Sequence, residues 1–426
     1  MPSITLNHIT KIEGHAKLYV EIKDNKVLKC ELSSVEGSRY FEGILKGKHY
    51  YEAHEITSRI CGICSCGHNV AATSAIENAL GIEVSKQTLA LKKLMTLGER
   101  IRSHATHLYF LALPDYMGYE SALAMLPKYK KEVKRALSLM RFGNNLVKVI
   151  GGRDLHQVSM TVGGFLKIPK KQELDELAES AKILKEDAIE TAKLFSKLTL
   201  YNIDDRCEHF SLHEKEEYAM LNSSLVSEKA RFSEYEYLKY FEEYHNNYST
   251  ANFVSKDSKS FLVGSLSRIN NNREQLSKDA KAILLSSSIK FPNTNPFTNN
   301  FCQAVELVHS MDQVIELCNS LTPKEERLVK PKLKKTRGVS AVEVPRGTLF
   351  HDYTLDKEGV IVHANIITPT ALNLKNMEEN IRNMLPVLIK KGNEEQVNLE
   401  IEKLIRCYDP CFSCSTHFLK VNWKRS

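Results

Sequence analysis

Two Cys-x-x-Cys pairs, Cys61–Cys64 and Cys411–Cys414, lie close to opposite ends of a chain of 426 residues. Two intervening residues let both sulfurs of a pair face one metal ion. Two such pairs make a soft, four-thiolate donor set suited to zinc, iron or nickel and not to magnesium or calcium. A zinc ribbon would place its pairs roughly 15 to 20 residues apart, whereas 350 positions separate Cys61 from Cys411. A shared site therefore requires a fold that brings the two ends of the chain together. Spacing alone leaves open two separate redox dithiols, or buried cysteines without a role.

Composition narrows the class. Hydrophobic residues are 42% and charged residues 26%, which excludes collagen-like, mucin-like and wholly disordered chains. The net charge of +7 is too small over this length to argue for nucleic acid. No basic segment followed by an apolar one opens the chain, and no apolar run approaches the roughly 20 residues of a membrane span. The expectation is a cytoplasmic chain with no membrane span and no nucleic-acid partner. Of ten cysteines, five fall in two tight groups, which suits reduced thiols with a chemical purpose better than a disulfide framework.

Periodicity gives the outline. Leu18, Val20 and Ile22, a turn at Asp24-Asn25, and then Leu28, Cys30 and Leu32 predict a β-hairpin. From Ser85, a helix N-cap, Leu91, Leu94, Leu97, Ile101, His104 and Leu108 recur every three or four residues as far as Leu113-Pro114, which predicts a long amphipathic helix. Leu174, Leu177, Ala181, Leu184, Ala188 and Phe195 repeat that pattern between Pro169 and Leu200. The Tyr- and Glu-rich stretch 202–257 is read as short helices and connections. The lysine-rich run 330–335 reads as a solvated linker. A second hairpin is expected from 349–355 and 360–366, and a helix from Asn376 to about Ile405. The expected fold is mainly α, a long-helix bundle core with small β-hairpin or sheet elements near the N- and C-termini. It forms one large domain over 1–426. Its parts are a β piece with the first cysteine motif (1–83), the bundle (84–330), a β element (331–375), a C-terminal helix with the second motif (376–417), and a tail (418–426).

Arg59-Ile60-Cys61-Gly62-Ile63-Cys64 and Asp409-Pro410-Cys411-Phe412-Ser413-Cys414-Ser415-Thr416-His417 resemble two motifs of the large subunit of nickel-iron hydrogenases. These are R-x-C-G-x-C and D-P-C-x-x-C-x-x-H, which bind that family's dinuclear centre. Lys11-Ile12-Glu13-Gly14-His15 is similar to its R-(I/V)-E-G-H element, with Lys for Arg, and Glu42 stands where the family has a carboxylate. Ser103-His104-Ala105-Thr106-His107-Leu108-Tyr109, Pro114-Asp115, Glu343-Val344-Pro345-Arg346-Gly347 and Thr368-Pro369-Thr370-Ala371-Leu372-Asn373 also have counterparts. The likeness covers most of the chain. It is closer to the cytoplasmic multi-subunit branch, with its sulfhydrogenases and its NAD(P)-linked or F420-type enzymes, than to the membrane-bound uptake enzymes.

The resemblance implies a nickel-iron centre in which Cys61 and Cys411 are terminal nickel ligands and Cys64 and Cys414 bridge to an iron carrying carbon monoxide and cyanide. Heterolysis of hydrogen needs a Lewis acid and a base within reach of the proton. Cys411 is nominated as that base and Glu13 as the group that takes the proton onward. Arg346 is expected over the open face of the metals, and the Pro369 backbone with the Thr370 hydroxyl against a cyanide. Glu42, His417 and the carbonyl of Ile366 match positions that hold a magnesium or iron ion. His68 is expected to hydrogen-bond a bridging sulfur. The ordinary readings are a solvated Glu13, a surface salt bridge for Arg346 and a satisfied core histidine for His68. Cys66, not a family ligand, is a small buried residue or an oxidation-sensitive thiol.

Three departures stand out. Ser103 occupies a place where some members have Asp beside the arginine. The family's H-P element before P-G-G survives only as Leu155-His156-Gln157 and Val162-Gly163-Gly164. Nine residues, Phe418 to Ser426, follow His417; in this family a maturation endopeptidase, working with a chaperone, removes such a tail. Cys30, Cys207, Cys302, Cys318 and Cys407 show no iron-sulfur cluster spacing, so electrons must leave through an iron-sulfur small subunit. With no Gly-rich dinucleotide fingerprint present, flavin, NAD(P) or F420-type sites would lie on further subunits. The rival readings are a zinc-stabilised structural or interaction subunit, a hydrogenase-derived scaffold without nickel, and a dithiol oxidoreductase.

Overall fold

A computed structural model of the protein describes residues 3–24 and 26–416. Its body is built from long helices. Helix α1 (Ser65–Leu80) starts directly after the first cysteine pair and is buried at every position but Asn78. Helix α2 (Lys86–Thr106) begins where the sequence places it, with the Ser85 side chain accepting from the Thr88 amide at 2.9 Å. Leu91, Leu94, Leu97, Ile101, His104 and Leu108 are all buried, as the pattern requires. The chain does not stop at Leu113-Pro114: a π-helical segment, His107–Ala112, leads into a further turn, Leu113–Met117. Helices α3 (Lys130–Gly151), α4 (Lys171–Phe195) and α5 (Asn299–Ser320) complete the bundle. Helix α2 packs on α3, and α5 packs on both α4 and α2. The α2–α3 crossing is close because glycines meet there; a Cβ on Gly143 would lie 2.6 Å from the Gly98 carbonyl oxygen.

Two three-stranded antiparallel sheets flank the bundle. Strands β1 (Ser3–Leu6), β2 (Ala16–Lys23) and β3 (Lys26–Ser34) contain the expected N-terminal hairpin. A register shift between Glu21 and Ile22 sets Ile22 opposite Val27, which leaves Leu28, an expected inward position, 52% exposed. Strands β4 (Thr336–Val344), β5 (Gly347–Leu355) and β6 (Ile361–Ile367) form the second sheet, with β4 added to the expected hairpin. Strand β4 lies across α1, and it can do so because Gly338 has no side chain to meet Ala75 and Ala79.

Two further expectations are corrected. The stretch 202–257 holds short strands of two to four residues, among them Ser211–His213, Ser224–Val226, Glu242–His245 and Asn252–Ser255, with only one turn of α-helix at Tyr237–Tyr240. Its aromatic residues Phe210, Phe232 and Phe241, with Phe261 just beyond it, make a second core that packs on Phe350 of β5 and its neighbours. The C-terminal helix is two helices, α6 (Pro369–Lys391) and α7 (Glu394–Cys407), and the first begins seven residues earlier than its expected start at Asn376. Between the bundle and β4, residues 321–335 form no regular element, and the lysines there are exposed. Strand β3 is tied to α6, with the Leu32 amide donating to Glu378 Oε1 at 2.8 Å. The N-terminal sheet and the C-terminal helices therefore share one side of the molecule.

Candidate metal centre

All four cysteines of the two motifs meet in one buried cluster, their sulfurs within 4.8 Å of one another. Cys61 Sγ lies 3.7 Å from Cys411 Sγ, and Cys411 Sγ lies 2.7 Å from Cys414 Sγ. Cys61 ends a short 3-10 turn, Ser58–Ile60, and Cys64 is the N-cap of α1, so the first pair sits in the approach to a helix. The Cys64 amide donates to Cys61 Sγ at 3.3 Å. The second pair lies beside the N-terminal segment. The Glu13 amide donates to the Pro410 carbonyl at 3.3 Å, and the Phe412 amide donates to the Glu13 carbonyl at 2.9 Å. These two bonds join the ends of the chain at the site.

The four thiols cannot all ionise on their own. Hydrogen bonds from Cys411 and Cys414 hold Cys61 and Cys64 below the ordinary thiol range, whereas burial holds Cys411 and Cys414 well above it. A cation placed among the sulfurs would complete the donor set by ionising all of them. The residues present thus fit a thiophilic metal.

Arg346 spans the two pairs. It occupies the two-residue turn between β4 and β5, where Val344 pairs with Gly347. Its Nη1 donates to Cys64 Sγ at 2.7 Å, and its Nε donates to the Asp409 carbonyl at 2.6 Å. At 5% exposure it is no surface salt bridge. Glu13 sits beside Cys411 in an isolated bridge between their backbones. Burial pushes its carboxyl up while Arg346 pulls it down, so it is a group able to hold a proton near the sulfurs. The Thr370 hydroxyl accepts from the Cys411 amide at 2.8 Å, and Pro369 is the first residue of α6. A small cavity of about 10 Å³ is lined by Cys64, His68, Arg346, Pro369, Thr370 and Cys411, among others.

The remaining expected residues fall as follows. His68 is buried, and its Nδ1 lies 3.1 Å from Nε2 of His351, whose Nδ1 is 2.6 Å from the Tyr353 hydroxyl. Glu42 and Ile366 do meet, with the Ile366 amide donating to Glu42 Oε1 at 2.8 Å, where the carbonyl was expected to matter. His417 lies outside the described residues. Ser103 is buried, with no hydrogen-bond partner for its hydroxyl among the described residues. His156 has its Nδ1 2.9 Å from the Ser58 carbonyl, next to the first motif. Cys66 is fully buried, and burial holds its thiol well above the ordinary range.

Three residues escaped the sequence reading. Glu99 on α2 is fully buried and accepts from the Cys66 amide at 2.7 Å and the Gly67 amide at 3.1 Å, the first turn of α1. Burial, then the charge of Cys64, pushes its carboxyl to about 8. Asp409 holds Arg346 in turn and was visible as the first residue of the second motif. Arg268 is fully buried between Glu306 and Glu343 and donates to the carbonyls of Val344 and Pro345, each at 3.0 Å. It fixes the turn that carries Arg346, and no local pattern announces it.

The profile of the family described as nickel-dependent hydrogenase matches residues 39–146 and 153–417. The chain belongs to the nickel-dependent hydrogenase family. This hydrogenase is 35% identical to the alpha chain of sulfhydrogenase 1 of Pyrococcus furiosus, over 98% of each chain. It is 29% identical to a chain of the F420-non-reducing hydrogenase vhu of Methanocaldococcus jannaschii, over 92% of this chain and all of that one. Its fold matches that of an NAD+-reducing NiFe hydrogenase in the H2-reduced state with a TM-score of 0.88 at 22% identity, covering 98% of this chain and 100% of the other. The hydrogenase is an enzyme acting on hydrogen, and its four clustered cysteines fit a nickel-iron centre. Separate dithiols are overturned by the single cluster, and the family membership disfavours the zinc-stabilised alternative. Among the described residues, no helix is long and apolar enough to cross a membrane.

Proposed function

We propose that Cys61 and Cys411 are terminal ligands to nickel, that Cys64 and Cys414 bridge nickel and iron, and that the iron carries carbon monoxide and cyanide. The observation that carries this reading is the meeting of four sulfurs from both chain ends within 4.8 Å, under one arginine. When bound, a nickel-iron centre supplies the Lewis-acidic position at which hydrogen is polarised for heterolysis. The chain supplies the rest. Cys411 is the base that receives the proton, and Glu13, whose backbone is tied to both neighbours of Cys411, takes it onward. Arg346 excludes water and holds its charge on the Cys64 side, fixed by Asp409. Pro369 and Thr370, at the start of α6, face a cyanide, and His68 supports a bridging sulfur. Glu42, the Ile366 carbonyl and His417 hold a magnesium or iron ion near the C-terminus.

This reading extends to partners. The chain works with an iron-sulfur small subunit, because the remaining cysteines do not group into cluster ligands. Further subunits pass electrons to a soluble carrier such as NAD(P) or an F420-type coenzyme in the cytoplasm. An endopeptidase and a chaperone complete maturation by removing 418–426. Cys411→Ser tests the central assignment. Hydrogen-deuterium exchange and hydrogen uptake by the assembled complex should both be lost, and a variant that keeps most of either contradicts the role of Cys411.

A further inference from the structure

Helix α6 opens on the cavity above the cysteines, and its first residues are unusual in one respect. Thr368 is the N-cap, with φ −91° and ψ 153°. A threonine there ordinarily turns its oxygen back to accept from an amide of the first turn. Thr368 does not: its side chain makes no capping bond, although its main-chain carbonyl accepts the ordinary first bond of the helix from the Leu372 amide at 3.2 Å. The Thr368 hydroxyl is buried and has no hydrogen-bond partner among the described residues, although the residue is 1% exposed. A buried hydroxyl left without a partner is costly, so its presence needs a reason. Thr368 lines the cavity of about 10 Å³ that also touches Cys64, Cys411 and Cys414. The start of the helix fits this reading. Residue N1 is Pro369, which has no N–H to satisfy, and the 23-residue helix directs its positive end at the cavity.

We propose that the Thr368 hydroxyl is a hydrogen-bond donor to a small anion or polar diatomic held in this cavity, in addition to the groups at Pro369 and Thr370. The inference rests on the reading of the centre as nickel-iron with diatomic ligands. It adds a residue that this reading does not use, and it explains why the N-cap hydroxyl forgoes its helix. The space is small and bounded by a helix N-terminus, a hydroxyl and Arg346, which favours a small acceptor over a large anion. The hydroxyl then sets the electron density on that acceptor, because a hydrogen bond to it withdraws charge.

Two measurements on Thr368→Val and Thr368→Ser decide it. Valine keeps the shape and removes the hydroxyl, while serine keeps the hydroxyl. In the anaerobically purified complex, the infrared stretching bands of the diatomic ligands should move by more than a linewidth in Thr368→Val and stay at the wild-type positions in Thr368→Ser. In the full chain prepared without nickel or iron, where no ligand meets the hydroxyl, Thr368→Val should raise the unfolding midpoint by about 1–2 °C. In the loaded complex it should lower it. Bands that ignore Thr368→Val, or a metal-free chain destabilised by it, would overturn this inference and leave the nickel-iron reading standing. Absence of such bands from the wild-type complex would overturn both.

Discussion

The two cysteine pairs are held in different ways. Cys61 and Cys64 belong to the frame: they lead into an almost wholly buried helix, and α2 grips that entrance. Glu99 binds the first amides of α1, and Arg102 Nη2 donates to the Ile63 carbonyl at 2.8 Å. Cys411 and Cys414 lie past the last long helix and are docked by contacts from distant segments. Backbone bonds from Glu13, the Thr370 hydroxyl, and Arg39, which reaches the carbonyls of Ser413 and Thr416, hold them. The electrostatics divide along the same line, with the first pair's thiols drawn down and the second pair's pushed up. A preformed half and a docked half make a site that is complete only when the chain's ends have met. Arg346 is bonded to both halves, through Cys64 and Asp409.

That division can be broken at graded cost. Arg346→Lys removes the fork that reaches Cys64 and Asp409 at once, since an ammonium is a point charge with a single reach. Hydrogen uptake should fall by roughly 100-fold or more, and retention of most activity would show that bridging the halves is dispensable. Glu13→Gln leaves the backbone bonds to the docked half in place and removes only the proton carrier. Turnover with an electron acceptor should fall about 100-fold while hydrogen-deuterium exchange is largely kept; equal loss of both would assign Glu13 a different part.

Thr370→Val takes the acceptor from the Cys411 amide, a loss of about 2 kcal/mol for a buried donor left unpaired. Amide exchange should quicken over 409–416 and not in α1, and nickel should be retained less well. Uniform quickening would erase the distinction between the halves. The smallest effect concerns the anchor of α6. Burial raises the Glu378 carboxyl from 4.5 to about 7. A folded-state pKa above the unfolded one means the native chain keeps its proton longer. The contribution is therefore fully present below about pH 4.5 and is lost as pH rises through about 7. Glu378→Gln should flatten the fall in melting temperature across that window, by an amount corresponding to about 1–2 kcal/mol after allowance for partial exposure.

What could be read in advance follows the range of the interaction. Ser85 with its threefold and fourfold apolar repeat gave α2, because cap and period lie within one stretch. The cysteine pairs gave the meeting of the ends, since a four-sulfur site is a distance constraint across the whole chain. Strands of two to four residues in 202–257 are too short for any period, and only their aromatic content marked them. The break between α6 and α7 carried a missed signal: Asn393 and Gln396 form a reciprocal capping box, with the Gln396 amide donating to Asn393 Oδ1 at 2.9 Å. Glu99 and Arg268 had none, because a charge inside an apolar stripe looks like an exception until its partners on other segments are in place.

The most direct test is a count of nickel, iron and zinc per chain in the native complex purified anaerobically. Nickel near one per chain, lost in Cys411→Ser, is the expected result. Zinc without nickel in a chain matured to His417 would contradict it.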